Sequence, residues 1–196
     1  MADIVQGPKQ GVTGCKQMSD ATQVLTCIAD NLTDGGFKVS RNVLLSDGLQ
    51  ADVAASRSCL SWKGLVVLSQ HVIVRYVSHA TQHHLKALFE SGFRFGKKSN
   101  WIPLLRGMQF GYMIIPVILT DNADQVLMEN AVEKPPRHWA LSEFPVVIDL
   151  ASRRTAYFQG DAAWGAFYFS DLRGIVKAFT AGIPPHRDSQ HSPAAS

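Results

Sequence analysis

Cysteine is scarce in this chain of 196 residues: there are three, Cys15, Cys27 and Cys59, odd in number, far apart and in no CxxC pair. Neither a disulfide framework nor a zinc knuckle organises such a chain, and a reducing compartment suits it. Long apolar runs are missing as well. The most apolar later stretch, 111–120, is about half of the roughly 20 residues that a membrane-spanning helix needs. The opening MADIVQGPKQGVTG lacks the basic-then-apolar order of a secretory signal. These absences predict a soluble, cytoplasmic protein with no membrane partner. Charge of one sign is also lacking: a net charge of +3 falls well short of a dedicated nucleic-acid binder. Gly92, Gly96, Gly107 and Gly111 are too widely spread for a GxGxxG or P-loop pattern, and neither HExxH nor GxSxG occurs. Nucleotide hydrolysis, zinc proteolysis and α/β-hydrolase chemistry lose their usual signatures.

What is present centres on 64–77, GLVVLSQHVIVRYV. Val66, Leu68, Gln70, Val72, Val74 and Tyr76 share one face of an extended chain, and Leu65, Val67, Ser69, His71, Ile73 and Arg75 share the other. A strand apolar on both faces must be covered on both, so it reads as the central strand of a sheet. With 46% hydrophobic residues the chain can bury a core of one domain. Residues 1–18, without periodicity, read as a mobile arm, 19–182 as a single α/β domain, and 183–196 as a disordered polar tail.

Within that domain Ser19 can cap a helix carrying Val24, Leu25, Ile28 and Leu32, which Gly35 and Gly36 stop. Strands follow around Phe37–Leu45 and Leu49–Ser56, and Arg57–Lys63 turns the chain into the central strand. A helix is expected from His79 to Ser91 with Leu85, Leu88, Phe89 and Gly92 on its inner face. A basic loop then gathers Arg94, Lys97, Lys98 and Arg106 around Trp101. Phe110–Thr120 is a strand whose Pro116 favours an edge or a bulge. Asp121-Asn122 starts a short helix to Asn130. The strands Phe144–Leu150 and Thr155–Gln159 form a hairpin, and Ser170 caps a last helix with Leu172, Ile175, Val176 and Phe179 inside. Gly182, Pro184 and Pro185 end it.

The order helix, strand, strand, strand, helix, strand over Ser19–Thr120, with Asp52 in LQADVAA on the second strand, resembles the core of the restriction-endonuclease-like, or PD-(D/E)XK, superfamily. The resemblance implies an α/β fold with a mixed central sheet flanked by helices, an αβββαβ core to which a C-terminal hairpin and helix are added. It also implies an acidic residue and a lysine, two apart, on the third strand. That strand reads VVLSQHVIV, where Ser69, Gln70 and His71 supply neither. Carboxylates hold the Mg²⁺ of such nucleases and a lysine or metal-bound water assists attack on phosphorus. Asp52 with Glu90, on the following helix, is the remaining catalytic pair that could serve Mg²⁺ or Mn²⁺. Lys86 and Arg94 lie four residues either side of Glu90, so surface ion pairs are the alternative. No cofactor is expected outside that nuclease reading.

Other residues carry two readings each. His79, His83 and His84 include an HxxxH spacing, either two imidazoles on one helix face or a polar helix start. His71 reads as a buried hydrogen-bonding histidine, and Ser69 as no nucleophile, because adjacent strand residues point to opposite faces. Cys59, placed in a turn with Arg57 and Lys63 nearby, is a lowered-pKa thiol or an ordinary cysteine. The anion-binding candidates are Arg94, Lys97, Lys98 and Arg106, together with Arg137 and His138 beside Trp139 and Glu143; an aromatic among cations suits phosphates and stacked bases. The aromatic residues Trp139, Trp164, Phe167, Tyr168 and Phe169 suggest a homodimer contact. Three functions follow: a non-catalytic binding or interaction protein on a nuclease-like scaffold, a divergent metal-dependent nuclease using Asp52, or a small-molecule enzyme or sensor with a basic pocket. A nucleic acid or other phosphate-bearing ligand fits the first two.

Overall fold

In the computed structural model, residues 20–45, 47–61, 66–99, 110–135, 141–160 and 166–183 are described, the side chains of 60, 61, 66, 99, 110–112, 141, 142 and 166–168 excepted. Asp20 rather than Ser19 caps the first helix, α1 (Ala21–Asp34), its carboxylate accepting from the Thr22 N–H at 3.1 Å. Val24, Ile28 and Leu32 recur at helical spacing and are buried. Gly36, at φ +77°, ends the helix: its N–H reaches the Thr33 carbonyl and that of Phe37 reaches Leu32, the paired bonds of a left-handed C-terminal cap.

Three antiparallel strands follow, β1 (Lys38–Leu44), β2 (Gln50–Ser61) and β3 (Val66–Tyr76). Then come β4 (His79–Ala80), α2 (Gln82–Ser99), β5 (Phe110–Thr120), β6 (Asn122–Ala123) and α3 (Gln125–Val132). The chain ends in β7 (Leu141–Glu143), β8 (Val146–Asp149), β9 (Arg154–Tyr157) and α4 (Ala166–Phe179). The sheet order is β1-β2-β3-β5-β8-β9, parallel from β3 through β5 to β8 and antiparallel at both ends, with β7 also on β5. It is a mixed sheet between two helical layers, as expected of the α/β class.

The two faces divide as the alternation of 64–77 predicts. Leu68, Val72 and Val74 meet α1 and α4 over a core that includes Phe144, Phe169 and Phe179. Ile73 meets α2 and α3 on the other face, with Leu85, Leu88, Ile118 and Leu127. Each such side chain, fully buried, contributes about 1.5–3 kcal/mol. Phe169, counted above with the dimer aromatics, belongs to this core. Trp139 and Trp164 lie outside the described residues, as do the side chains of Phe167 and Tyr168.

Several local expectations change. α2 runs to Ser99 instead of stopping at Ser91, so Arg94, Lys97 and Lys98 stand on a helix and not in a loop. Gly92 and Gly96 do not break it because they are where it presses on the sheet: a Cβ at Gly92 would lie 2.6 Å from Ile73 Cδ1, and one at Gly96 3.2 Å from the His71 ring. His79 is not helical; β4 pairs with β6 beyond the ends of β3 and β5. For the same reason α3 starts later than Asp121-Asn122, capped by Asp124. Cys59 lies on β2 opposite Leu68, not in a turn, and Ser170 is inside α4 and not its cap.

Pro116 sits in the interior strand β5, neither at an edge nor in a bulge. β7 and β8 keep one register along β5, which sets Pro145 opposite Pro116 at the gap between them. Ile114, two residues before Pro116, accepts from the Phe144 N–H on that same side. The N–H that Pro116 lacks therefore faces the break in the β7–β8 line, where the ladder is already interrupted.

Candidate functional site

Asp52 occupies an irregular step. Opposite it Asn42 adopts φ +52°, and the β1–β2 register skips this pair. Val39 and Val53 pack on the α1/α4 side, whereas Val43 and Ala51 pack on the α2/α3 side, so the hairpin changes face here. The β2–β3 ladder stops at Val53–Val74, and the Asp52 carboxylate takes the next free donor, the Tyr76 N–H, at 2.6 Å. The Tyr76 hydroxyl donates to Asp121 at the end of β5, and that hydrogen bond, with desolvation and the charges of Asp121 and Asp20, pushes the phenol pKa up.

The register also relocates the comparison with the nuclease core. Ser69, Gln70 and His71 lie opposite Ser58, Arg57 and Ser56, away from Asp52. Beside Asp52 the third strand offers Ile73, Val74 and Arg75. Glu90 is on the solvent side of α2, 3.5 Å from Arg94; it and Asp52 are engaged with different partners on different elements. Among the described residues no three His, Cys, Asp or Glu side chains gather as a metal site. His84 accepts from the Thr81 N–H at 3.1 Å at the start of α2.

Ser69 and His71, two apart, share a face, and their Oγ and Nε2 are hydrogen-bonded at 2.9 Å. Contrary to the expectation from adjacency, the pair exists, but under Gly96 and Phe95, with both residues almost fully buried. Burial lowers the His71 pKa to about 4, so the ring is neutral at ordinary pH. Across β5, Glu143 is in register with Ile114, which is in register with His71. Two strand spacings, about 10 Å, separate the histidine and the carboxyl backbones, too far for a Ser-His-Glu relay. Burial raises the Glu143 pKa to about 7.

Of the anion-binding candidates, Arg94 is committed to Glu90 and, at 3.8 Å, to Asp47 in the β1–β2 turn. Lys97 and Lys98 are exposed in the last turn of α2, where cations complement the helix dipole. Arg106, Arg137 and His138 lie outside the described residues.

One arginine was not singled out by sequence. Arg57 on β2 is the cross-strand partner of Gln70, and its Nε donates to Gln70 Oε1 at 2.7 Å. Its Nη1 donates to the Gly35 carbonyl at 2.6 Å, and its guanidinium lies 4.4 Å from the centroid of the Phe37 ring. It stands on the wall of a cleft of about 400 Å³ between the C-terminal part of α1 and α4. Leu32, Phe37 and Phe179 make the floor apolar; Ser170 and Asp171 line the α4 side. The signal in the sequence was a register, Arg57 against Gln70, which emerges only once β2 is known to continue to Ser61.

Fold and sites together define an α/β protein with a mixed sheet and a cleft between its first and last helices. The chain matches no family model, no curated protein and no solved structure. Among the described residues no helix is long and apolar enough to cross a membrane.

Proposed function

We propose that the chain is a non-catalytic binding protein built on a restriction-endonuclease-like core. The element order α1-β1-β2-β3-α2-β5, with three antiparallel strands followed by a parallel one, supports the scaffold half of this reading. The observation that carries the non-catalytic half is Ile73. Two residues before Arg75, and on the strand beside Asp52, it stands where a second carboxylate would be needed, and it is fully buried against Gly92. Arg75 supplies a cation beside Asp52, but one carboxylate already hydrogen-bonded to a backbone N–H is a poor ligand set for a hard divalent cation.

The test is incubation of the full chain with Mg²⁺ or Mn²⁺ and labelled single-stranded DNA, duplex DNA and RNA, alongside Asp52→Ala and a thermal-shift titration of both proteins. The reading expects no Asp52-dependent cleavage, and no metal-induced rise in Tm that Asp52→Ala removes. Metal-dependent cleavage lost in Asp52→Ala would overturn it in favour of a divergent nuclease.

A further inference from the structure

The α1–α4 cleft, about 400 Å³, lies in the size range of small-molecule sites and sets a cation beside apolar side chains. Two features of its walls are not needed for packing alone. The first is the way Arg57 is held. Its Nε, Nη1 and aromatic contacts fix the guanidinium, while among the described residues two of its five N–H donors have partners. Gln70, which orients it, is itself almost fully buried, so the arginine is anchored from beneath the sheet surface. A cation whose rotamer is settled in advance costs little further entropy when it binds an anion.

The second feature is Gly174. It lies inside α4, where glycine costs about 1 kcal/mol relative to alanine. Unlike Gly92 and Gly96 it has no packing reason, for among the described residues nothing comes within 4 Å of the Cβ it lacks. A side chain there would instead occupy the cleft that Gly174 lines.

We propose that this cleft binds a small organic carboxylate, its anionic group paired with Arg57 and its apolar body along the exposed α4 wall at Gly174 and Ala178. The arginine fork matches a carboxylate in a two-bond arrangement. The proposal rests on residues other than Asp52 and Ile73, and so stands apart from the nuclease-like reading.

The experiment is a titration of the full ¹⁵N-labelled chain with 4-phenylbutyrate and with its neutral analogue 4-phenylbutanol, followed by amide chemical shifts, on wild type, Gly174→Leu and Arg57→Lys. Saturable shifts centred on 31–37, Arg57 and 170–179 are expected with the acid, and at least about tenfold weaker binding with the alcohol. Gly174→Leu, which adds helix propensity while filling the space, is expected to fold with an unchanged or higher Tm and to lose the binding. Arg57→Lys keeps the charge, loses the fork and is expected to weaken the acid severalfold. The proposal is overturned by absence of saturable shifts up to about 10 mM acid, by equal affinity for acid and alcohol, or by a folded Gly174→Leu that binds as wild type does.

Discussion

Two glycines in helical conformation have opposite consequences. At Gly96 an added Cβ would meet the His71 ring at 3.2 and 3.3 Å and Ile114 Cδ1 at 3.4 Å, two buried side chains that would have to shift by a few tenths of an ångström. Gly96→Val is therefore expected to destabilise by about 1–3 kcal/mol through overpacking. Gly174→Ala, in open space, is expected to stabilise by about 0.5–1 kcal/mol. Denaturant midpoints at unchanged slope read both signs; a stabilising Gly96→Val would mean that α2 does not press on His71 as described. The same buried face fixes a pH response. The folded Glu143 carboxyl holds its proton up to about pH 7, against 4.5 in its ordinary state. Its contribution is therefore fully present below pH 4.5 and is lost as the pH rises through 7. His71, lowered to about 4 from 6.5, acts in the opposite sense: its contribution is present above pH 6.5 and lost as the pH falls through 4. Glu143→Gln is expected to be more stable than wild type at pH 8, with the gain vanishing near pH 4. Equal stability of the two proteins across that range would show that Glu143 is ionised without cost.

Among the elements, the β1–β2 hairpin is joined to α2 through its turn. Its turn is fastened to α2 by the buried Ser91 hydroxyl, which donates to Asp47, with Arg94 nearby. The Ser91 hydrogen bond is the largest of the effects that hold the Asp47 carboxyl below its ordinary range, so the fastening is present at neutral pH and fails in acid. Ser91→Ala should cost about 1–2 kcal/mol and speed amide exchange at Leu45 and Gly48, whose N–H groups bond within the turn; unchanged exchange there would show that the turn holds itself. The strands β1, β2, β3, β5, β8 and β9 were legible in the sequence because their patterning is a local signal, whereas β4, β6 and β7 were not. The faces of β3, the limits of β5 and the buried set of α4 all follow from spacing. What escaped was set by partners distant in the chain. Gly92 and Gly96 look like helix breakers until Ile73 and His71 are seen beneath them. His79 looks helical until Asn122 pairs with it. Pro116 belongs at an edge by every local rule, and only the gap at Pro145 makes an interior place for it. Arg57 carried no motif, since its meaning comes from Gln70 across a strand pair.

At the scale of the whole molecule the first and last helices meet. α1 and α4 share one face of the sheet, and Asn31 Nδ2 donates to the carbonyls of Phe179 and Ala181 at 3.1 and 2.9 Å, tying the end of the last helix to the first. α4 also provides Phe169, Leu172, Val176 and Phe179 to the core that β3, β5 and β8 fill from below. Neither half of the chain can close this core alone, because its strands are contributed before and after α2 while its roof comes from both ends. The molecule is therefore expected to unfold as one cooperative unit, with far-ultraviolet circular dichroism and aromatic fluorescence giving the same denaturant midpoint. Phe179→Ala, which removes a fully buried ring from the roof, is expected to lower the stability measured by both probes together, by about 3–5 kcal/mol. Asn31→Ala should act in the same direction by about 0.5–1.5 kcal/mol, since the Phe179 carbonyl loses this donor while that of Ala181 keeps the Cys27 thiol. Separation of the two midpoints in either variant would show instead that α4 melts from a sheet able to stand without it, and the α1–α4 cleft would then belong to a part of the fold that opens before the rest.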